Sequence, residues 1–553
     1  MKILLVKTQR NIPSDFIESH ESLALGYLCS SLRKDDFESN ILDASILNIS
    51  LEDTIKKVLN DKYDLVGFAI PDLTFIEPTI SCIKEIKKEN PQIHITLGGF
   101  TPTFHYKEIL EISSDIDSVI MFEGENTIKE LAEKINDKKE WRGIDGIAFK
   151  SKNEIIANKQ RQLIPDLDSL SFPARDTLPI LIKKYPDTFT VSVLTGRGCY
   201  KNCSFCSVRA FYSTSGGYSL RSRSNKNVID EIENIVNLYS ISEIIFVDDV
   251  FIGPGKKNKE RIYQFAEELN NRGLKFIFTI AERVDNISYD VMSLLKDFGL
   301  RQIFLGLESG NQEILDHFDK DITLVQTEKA IEILSDLGID TEVSFITFTP
   351  DCTLDQIEQN LDFFMRIGVN ILQGLLNRLQ CFGGTKVYEQ LQRQGRLQGE
   401  FPFFSYSNKA DVRVDYFYNI AKETLGGFLS ISYEIKRIRR NIRKKMFEIE
   451  QNKDYLQLQK AVSLKSEFNN IIKTIMIEAG EAYKDLLEFS KDNYNSSKKE
   501  IERFKSKFSD DTTRLYQGWF NMIKFYENFR FNLELAKGSE EYEEQHANKY
   551  GII

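Results

Sequence analysis

The chain has 553 residues, a length typical of roughly three or four domains, and 41% hydrophobic with 28% charged residues is a globular composition. The 72 Lys and Arg against 83 Asp and Glu give a net charge of −11, which argues against nucleic acid as a partner. No apolar run approaches the ~18 residues of a membrane span, so we expect no membrane span and a cytoplasmic protein.

Residues 1–135 alternate short apolar runs with amphipathic stretches. This alternation predicts a doubly wound (flavodoxin-like) α/β domain with a parallel sheet. Ligands of such sheets bind at the carboxyl ends of strands, where Pro71, Gly98, Gly99 and Gly124 fall. The predicted strands are Ile3–Val6, Leu65–Ile70, Ile93–Leu97 and Ser118–Phe122, and the predicted helices include Glu21–Lys34 and Glu77–Glu89.

Three further segments follow. Residues 136–188 lack the alternation of apolar and amphipathic stretches and are rich in turn residues, which predicts a linker. Residues 189–400 contain a second βα series, which fits a partial (β/α)6 barrel. Residues 401–553 are charged and rich in Phe and Tyr at helical spacing, which predicts a helical C-terminal domain. The predicted barrel strands are Thr190–Leu194, Glu243–Val247, Lys275–Ala281, Gln302–Leu307, Glu342–Thr349 and Ile371–Leu379.

Three of the seven cysteines lie within eight residues: Cys199, Cys203 and Cys206. Thiolates spaced C-x3-C-x2-C can hold a [4Fe–4S] cluster and leave one iron open. Zinc is the competing metal, but a structural zinc site needs four ligands, and the nearest histidines are His105 and His317. Three unrelated buried thiols are the other alternative, which the position after a barrel strand disfavours.

The cysteine motif, with an aromatic residue before its last Cys, resembles the signature of the radical S-adenosylmethionine (radical SAM) superfamily. Three segments that follow later predicted strands also resemble motifs of this superfamily: Phe246–Phe251, Phe304–Gly310 and Phe382–Thr385. The N-terminal domain resembles the cobalamin (B12)-binding domain of one branch of that superfamily, through Thr96–Gly99 and Phe122–Glu125. The resemblance covers about residues 1–400.

This resemblance implies a mechanism and a set of roles. The open iron would chelate the amino and carboxylate groups of SAM, and one electron would cleave SAM to methionine and a 5′-deoxyadenosyl radical. Cys199, Cys203 and Cys206 would be the catalytic cluster ligands. The resemblance places Phe205 near the adenine of SAM and gives Glu308 and Ser309 contacts with SAM. It places Asp248 and Asp249 at the same open end of the barrel, as candidates for polar contacts with SAM or substrate.

Several of these residues have structural alternatives. Asp248 and Asp249 could cap the following helix, and Glu308 with Ser309 could belong to a loop that caps the helix predicted over Asn311–Phe318. Arg283 could form a surface ion pair or contact a cofactor. Cys381, at the end of the sixth predicted strand, could donate a hydrogen atom or be a buried structural thiol.

The resemblance makes cobalamin an expected cofactor, with Pro71, Gly98, Gly99, Gly124 and Glu125 as its binding residues. Small residues suit a corrin that meets the backbone closely. The D-x-H-x-x-G motif of some cobalamin proteins is absent from this sequence. His105 lies after the glycine pair, but without a histidine ligand the lower face of cobalt would be open or water-ligated. A domain that kept the fold and lost the cofactor is the alternative.

Together these observations predict a radical SAM enzyme that methylates an unactivated carbon of a small-molecule biosynthetic intermediate with cobalamin. It would need an external one-electron reductant. The first alternative is a cyclase or rearrangement enzyme of the same architecture that does not methylate. A non-enzymatic iron–sulfur or corrinoid carrier is disfavoured, because an electron carrier usually has four thiolates. Nucleic-acid modification is disfavoured by the charge of −11.

Overall fold

The structure is a computed structural model that describes residues 1–10, 20–186, 189–213, 219–370, 372, 374–494, 502, 518 and 520–528. The fold divides into two compact units. The first comprises Met1–Leu307, Gln312–Glu342 and Leu379–Ser407, and the second comprises Glu308–Asn311, Val343–Arg378 and Asn408–Ile553.

The first unit begins with a seven-stranded sheet in the order β2-β1-β3-β4-β5-β6-β7. Its first five strands are parallel, which confirms the predicted doubly wound domain. Successive residues of β1 face opposite sides, so Leu5 packs with Leu25 on one face and Val6 packs with Ile83 on the other. The strands are β1 (Lys2–Lys7), β2 (Glu38–Asp43), β3 (Leu65–Ala69), β4 (His94–Gly98), β5 (Ser118–Ile120), β6 (Ile147–Ser151) and β7 (Glu154–Ala157). The helices are α1 (Leu23–Lys34), α2 (Ala44–Leu47), α3 (Leu51–Asn60), α4 (Ile76–Glu89), α5 (Phe100–Ile112) and α6 (Glu125–Asn136).

Strands β6 and β7 form a hairpin inside the predicted linker 136–188. β6 pairs antiparallel with β5, and β7 pairs antiparallel with β6. Lys152, in the tight turn between them, has a φ of +54°. Neither residue of this Lys152-Asn153 turn is a glycine, so the sequence lacks the usual signal of a hairpin. The prediction of a linker without strands is therefore wrong for this segment.

A second sheet follows in the order β14-β13-β12-β11-β8, with β8, β11, β12 and β13 parallel. Its strands are β8 (Val191–Val193), β11 (Glu243–Phe246), β12 (Ile277–Arg283), β13 (Leu300–Glu308) and β14 (Asp340–Phe345). The helices of this region are α7 (Leu178–Lys184), α8 (Ser207–Ser213), α9 (Asn225–Tyr239), α10 (Gly255–Asn271), α11 (Tyr289–Asp297), α12 (Gln312–His317), α13 (Leu324–Asp336), α14 (Leu354–Arg366) and α15 (Lys386–Arg393). Two short pairs accompany them: β9 (Gly196–Arg197) with β10 (Arg221–Ser222), and β15 (Leu397–Gln398) with β16 (Ser405–Tyr406).

The sixth predicted barrel strand, Ile371–Leu379, differs from the structure. Its described residues make one isolated parallel bridge, between Arg378 and Phe348, and otherwise form turns. Gly374 lies against the ring of Phe345, so the chain turns there instead of extending. Positions 371 and 373 lie outside the described residues.

The described part of the C-terminal region is helical, which confirms the prediction: its helices include α16 (Arg413–Leu425), α17 (Phe428–Gln451) and α18 (Tyr455–Asp492). Tyr483 of α18 is fully buried and donates to the carbonyl of Leu375 at 3.1 Å. Lys491 Nζ lies 2.6 Å from Glu358 of α14. Within the described residues, no helix is both long enough and apolar enough to cross a membrane.

Candidate active site

A tight loop after β9 carries the three clustered cysteines. Gly198 in this loop has a φ of +86°, and a Cβ there would collide with the carbonyl oxygen of Ser219. Only glycine therefore fits. The Gly198 N–H donates to Asp249 Oδ2 at 3.1 Å, which ties the loop to the residues just after β11. The thiols consequently lie beside the carboxyl ends of the barrel strands.

The three thiols are half-buried and free of disulfide bonds. Burial raises the pKa of Cys206 to about 11 and also raises the pKa of Cys199. Metal ligation needs the thiolate, so iron binding has to offset this burial. Among the described residues, no three His, Cys, Asp or Glu side chains converge on the space of one ion. An iron–sulfur cube does not require such convergence, because each thiolate binds a different iron.

The two adjacent aspartates after β11 have different roles. Asp248 is buried, and its carboxylate accepts from Thr195 N at 3.1 Å and from Thr195 Oγ1 at 2.8 Å. Asp249, not Asp248, lines the large cavity described below. Burial raises the pKa of Asp248 to about 7 and that of Asp249 to about 6. The Asp248 carboxylate thus binds Thr195, and its contact with SAM or substrate stays a prediction. The capping alternative does not hold, because α10 begins after Pro254 without a side-chain cap.

Glu308 and Ser309 belong to the second unit and differ in their surroundings. Glu308 has a φ of +66°, an uncommon conformation for a residue other than glycine, and accepts from Ser344 Oγ at 3.1 Å. Ser309 is fully buried; its hydroxyl donates to Asn360 Oδ1 at 2.7 Å and accepts from Asn311 N at 3.0 Å. Ser309 therefore matches the loop-capping alternative, whereas a SAM contact of Glu308 stays a prediction.

Phe205 packs within the cysteine loop. Its ring centroid lies 4.8 Å from that of Phe318, and the neighbouring Ser204 N donates to Phe318 O at 2.9 Å. These contacts hold the segment between the second and third cysteines against the end of α12. The predicted contact of Phe205 with adenine stays a prediction.

A cavity of about 400 Å³ extends from the interior of the N-terminal domain to the cysteine loop. Its inner end is apolar and lies between the first sheet and helices α1 and α6. Its outer end is lined by Val247, Asp249, Arg197 and Tyr212. The inner lining includes Leu5, Leu25, Leu28, Gly67, Leu97, Ile120 and Ile128. Four of the residues predicted to bind cobalamin also line it: Gly98, Gly99, Gly124 and Glu125.

The glycines keep this cavity open. A Cβ at Gly124 would lie 3.2 Å from Leu28 Cδ2, and one at Gly67 would lie 3.1 Å from Leu5 Cδ2. Gly99 has a φ of +114°, and a Cβ there would lie 2.8 Å from the carbonyl oxygen of Ile70. Side chains at Gly124 and Gly67 would enter the space beside Leu28 and Leu5, so the lining suits a large ligand with an apolar part and a polar rim, as a corrin with its nucleotide tail is.

Pro71 does not line this cavity but a smaller one of about 170 Å³, and Phe100 lines both. His105 also lines the smaller cavity. Helix α5 is kinked at His105, whose Nδ1 lies 3.4 Å from Glu108 Oε1 and whose ring packs 5.1 Å from that of Phe401. A Cβ on Gly383 would lie 2.6 Å from His105 Nε2. The imidazole thus packs against Glu108, Phe401 and Gly383 while it also lines the smaller cavity.

A buried ion network joins the N-terminal domain to the cysteine loop. Arg197 Nη2 lies 2.6 Å from Glu125 Oε1, and Arg197 Nη1 lies 2.9 Å from Glu123 Oε1. Arg221 Nη2 lies 2.9 Å from the same Glu123 oxygen. Burial raises the pKa of Glu123, but hydrogen bonds and charge from Arg221 and Arg197 outweigh it and lower the pKa overall. Glu125 is therefore an ion-pair partner of Arg197 as well as a wall of the cavity.

Sequence comparison places two known domains on this architecture. Residues 193–364 match the radical SAM superfamily, and residues 17–132 match the B12-binding domain. The chain is a radical SAM protein with a B12-binding domain. It is therefore an enzyme whose radical SAM domain implies a [4Fe–4S] cluster and SAM, and whose second domain supports cobalamin as a further cofactor.

Two curated relatives and one solved structure illustrate the similarity of this radical SAM protein to others. The uncharacterized methyltransferase PH0819 of Pyrococcus horikoshii is 28% identical over 391 residues, 70% of this chain and 83% of that protein. The anaerobic magnesium-protoporphyrin IX monomethyl ester cyclase of Cereibacter sphaeroides is 30% identical over 349 residues, 61% of this chain and 55% of that protein. The cobalamin-dependent SAM radical enzyme OxsB with aqua-cobalamin bound has a TM-score of 0.70 at 19% identity, covering 98% of this chain and 82% of that one.

The residues of the radical SAM protein that join its B12-binding domain to the cysteine loop could not be paired from the sequence. Arg197 and Glu123 are 74 positions apart, and Arg221 is 98 positions from Glu123. The available signal was the position of Arg197, a charged residue two places before the first cysteine. Its partner could not be inferred, because nothing in the local pattern says which carboxylate the fold brings to it.

Proposed function

We propose that this radical SAM protein methylates an unactivated carbon of a small-molecule substrate, with cobalamin as the methyl carrier. The observation that carries the proposal is the single cavity that runs from the glycines of the B12-binding domain to Asp249 and Arg197 beside the cysteine loop. When bound, the cluster with SAM supplies a 5′-deoxyadenosyl radical and cobalamin supplies a transferable methyl group. Methyltransferase is also the printed name of PH0819.

The chain's own residues have separable roles in this proposal. Cys199, Cys203 and Cys206 bind the cluster, and Gly198 keeps their loop against Asp249. Gly98, Gly99 and Gly124 leave space for the corrin. The paired side chains of Arg197 and Glu125 form part of the cavity wall and hold both domains around it, which excludes water from the reacting groups.

The substrate and the electron donor complete the proposal. We propose a small-molecule biosynthetic intermediate as substrate and an external one-electron reductant. Each turnover would consume two molecules of SAM and two electrons from the reductant: one SAM yields methionine and 5′-deoxyadenosine, which carries the hydrogen atom removed from the substrate carbon, and the other donates the methyl group that replaces this hydrogen and leaves S-adenosylhomocysteine.

The test does not require the natural substrate. The full chain is purified without oxygen, reconstituted with iron and sulfide, loaded with hydroxocobalamin and freed of excess corrin. It is then reduced with titanium citrate and given SAM with a deuterated methyl group. We expect about one corrin per chain, S-adenosylhomocysteine in the solution and the deuterated methyl on the corrin by mass spectrometry. A chain that holds an intact cluster but binds no corrin, forms no S-adenosylhomocysteine and carries no deuterated methyl on a corrin would contradict the proposal.

A second candidate is a radical cyclase or rearrangement enzyme that does not methylate. The 30% identity to the cyclase of Cereibacter sphaeroides favours it. It predicts 5′-deoxyadenosine without S-adenosylhomocysteine in the same assay. The two candidates therefore differ in a measurable product ratio, whether or not the substrate is known.

A further inference from the structure

Arg283, the last residue of β12, is buried beside the cysteine loop. Only 4% of its surface is exposed. Its Nη1 donates to Cys203 Sγ across 3.7 Å, and its Nη2 donates to the carbonyl of Lys320 at 2.7 Å. The guanidinium also lies 5.8 Å from the ring centroid of Tyr200. Three groups therefore contact this charge, and one of them is a thiol of the cysteine cluster.

The counter-ion of Arg283 is Asp285. Arg283 Nε donates to Asp285 Oδ1 at 2.8 Å. The other carboxylate oxygen accepts from Tyr200 OH at 3.1 Å and lies 3.5 Å from Lys201 Nζ. Lys201 is also paired with the exposed Asp321. Next to Cys203 there is thus a buried cation whose balancing anion also binds Tyr200 and Lys201.

We propose that Arg283 sets the reduction potential of the iron–sulfur cluster through a charge-assisted hydrogen bond to the Cys203 thiolate. Reduction adds a negative charge to the cluster. A cation beside a ligating sulfur stabilises the reduced form, and hydrogen bonds to cluster sulfurs are an established control of the potential. Burial strengthens the effect, because the interaction is screened less than at the surface. The inference rests on the cluster site of the proposed function.

The test is a redox titration of the reconstituted full chain without SAM, followed by the electron paramagnetic resonance signal of the reduced cluster. In R283Q we expect at least a tenfold smaller equilibrium constant for reduction, which for one electron is a potential about 59 mV more negative. R283K keeps the charge but not the fixed planar fork, so its shift should be smaller. D285N removes the counter-ion and should shift the potential in the opposite direction.

Arg209 provides the matched control. It lies three residues after Cys206, and its Nε donates to Asn202 Oδ1 at 3.3 Å. In R209Q we expect less than about a twofold change, because its charge is nearer to solvent and more screened. Equal potentials in R283Q and the unmodified chain would overturn the inference, as would a D285N shift in the same direction as R283Q.

Failure of the inference is distinguishable from failure of the proposed function. If the unmodified chain binds no iron and sulfide, the proposed cluster site fails. If it binds a cluster whose potential Arg283 does not affect, only the inference fails. Should R283Q fail to hold a cluster, the opposite shifts expected for R283K and D285N still decide the question.

Discussion

Arg197 Nη1 lies 2.9 Å from Glu123 Oε1, and both side chains are buried. Arg197 stands two residues before the first cluster cysteine, and Glu123 stands two residues before helix α6 of the B12-binding domain. The second Glu123 oxygen accepts from the backbone N–H of Ile164 at 2.7 Å. One carboxylate thus joins the cysteine loop, the B12-binding domain and the chain that connects them.

Replacing Glu123 by Gln should destabilise the fold strongly. The change leaves the buried guanidinium groups of Arg197 and Arg221 without their shared anion, and breaking a buried pair in this way costs about 3–5 kcal/mol. Urea unfolding followed by circular dichroism measures it. The control is E52Q, since the Glu52–Lys56 pair on α3 is exposed and solvent screens it, so its loss should hardly change the unfolding midpoint. Equal midpoints for the two variants would contradict the prediction.

The same residue gives a pH dependence. Because the folded-state pKa of Glu123 is lowered from 4.5, its stabilising contribution is fully present above pH 4.5 and is lost as the pH falls through the folded value. The difference in unfolding free energy between E123Q and the unmodified chain should therefore be constant from pH 8 to about pH 5 and shrink below that. A difference that grows on acidification would show that another group controls it.

Replacing Gly98 by Val should weaken corrin binding without unfolding the chain. A Cβ at Gly98 meets the nearest atom, Ile120 O, at an ordinary 3.7 Å, so the added methyl groups would enter the cavity. We expect at least about a tenfold higher Kd for hydroxocobalamin, or 1.4 kcal/mol, in absorbance titrations. G143V is the control, because nothing lies within 4 Å of a Cβ at Gly143. An unchanged Kd in G98V would place the corrin elsewhere.

Replacing any one of Cys199, Cys203 or Cys206 by Ala should abolish SAM cleavage and leave a folded protein. Each change removes one of three ligands, so iron and sulfide content should fall together with 5′-deoxyadenosine formation. C82A serves as the control, since Cys82 is a fully buried thiol in α4. Activity equal to the unmodified chain in any of the three variants would refute the assignment of the cluster ligands.

Replacing Gly384 by Ala should destabilise the contact between the barrel and the B12-binding domain. Gly384 has a φ of +78°, and a Cβ there would collide with the ring of Phe104 on α5. Gly395 separates the two causes, because its φ is +62° but nothing lies within 4 Å of its Cβ. G395A should lower the free energy of unfolding by about 1 kcal/mol, for the backbone conformation alone. G384A should lower it by clearly more, because it adds the collision with Phe104. Thermal unfolding of the two variants measures the difference.

The sequence predicted the parts of the fold that have a period of their own. Four of the five parallel strands of the first sheet were predicted, because apolar runs such as Leu65–Ala69 stand between turn residues; β2 (Glu38–Asp43), with Glu, Ser and Asn among its six residues, was not predicted. The hairpin β6–β7 was not predicted, because its turn contains no glycine. The strand predicted over Ile371–Leu379 is wrong, because an apolar run does not show whether the segment pairs along its length or, as near Arg378, by a single bridge. The cysteines were found because their spacing is local in the chain.

The remainder of the site depends on long-range geometry. Whether Asp248 or Asp249 faces the cavity depends on how the last turn after β11 is oriented, and the adjacent positions are chemically identical. Arg283 and Cys203 are 80 positions apart. Only the folded arrangement shows that their side chains meet.

The hairpin β6–β7 has a practical consequence for dissecting the enzyme. A B12-binding fragment that ended at residue 135 would lose both strands, leave the backbone edge of β5 unpaired and uncover apolar surface beneath Ile147 and Phe149. Such an edge is a template for self-association, so the fragment should aggregate. A fragment that ended after Ala157 would keep the hairpin, whose outer strand is only four residues long and mostly solvent-facing.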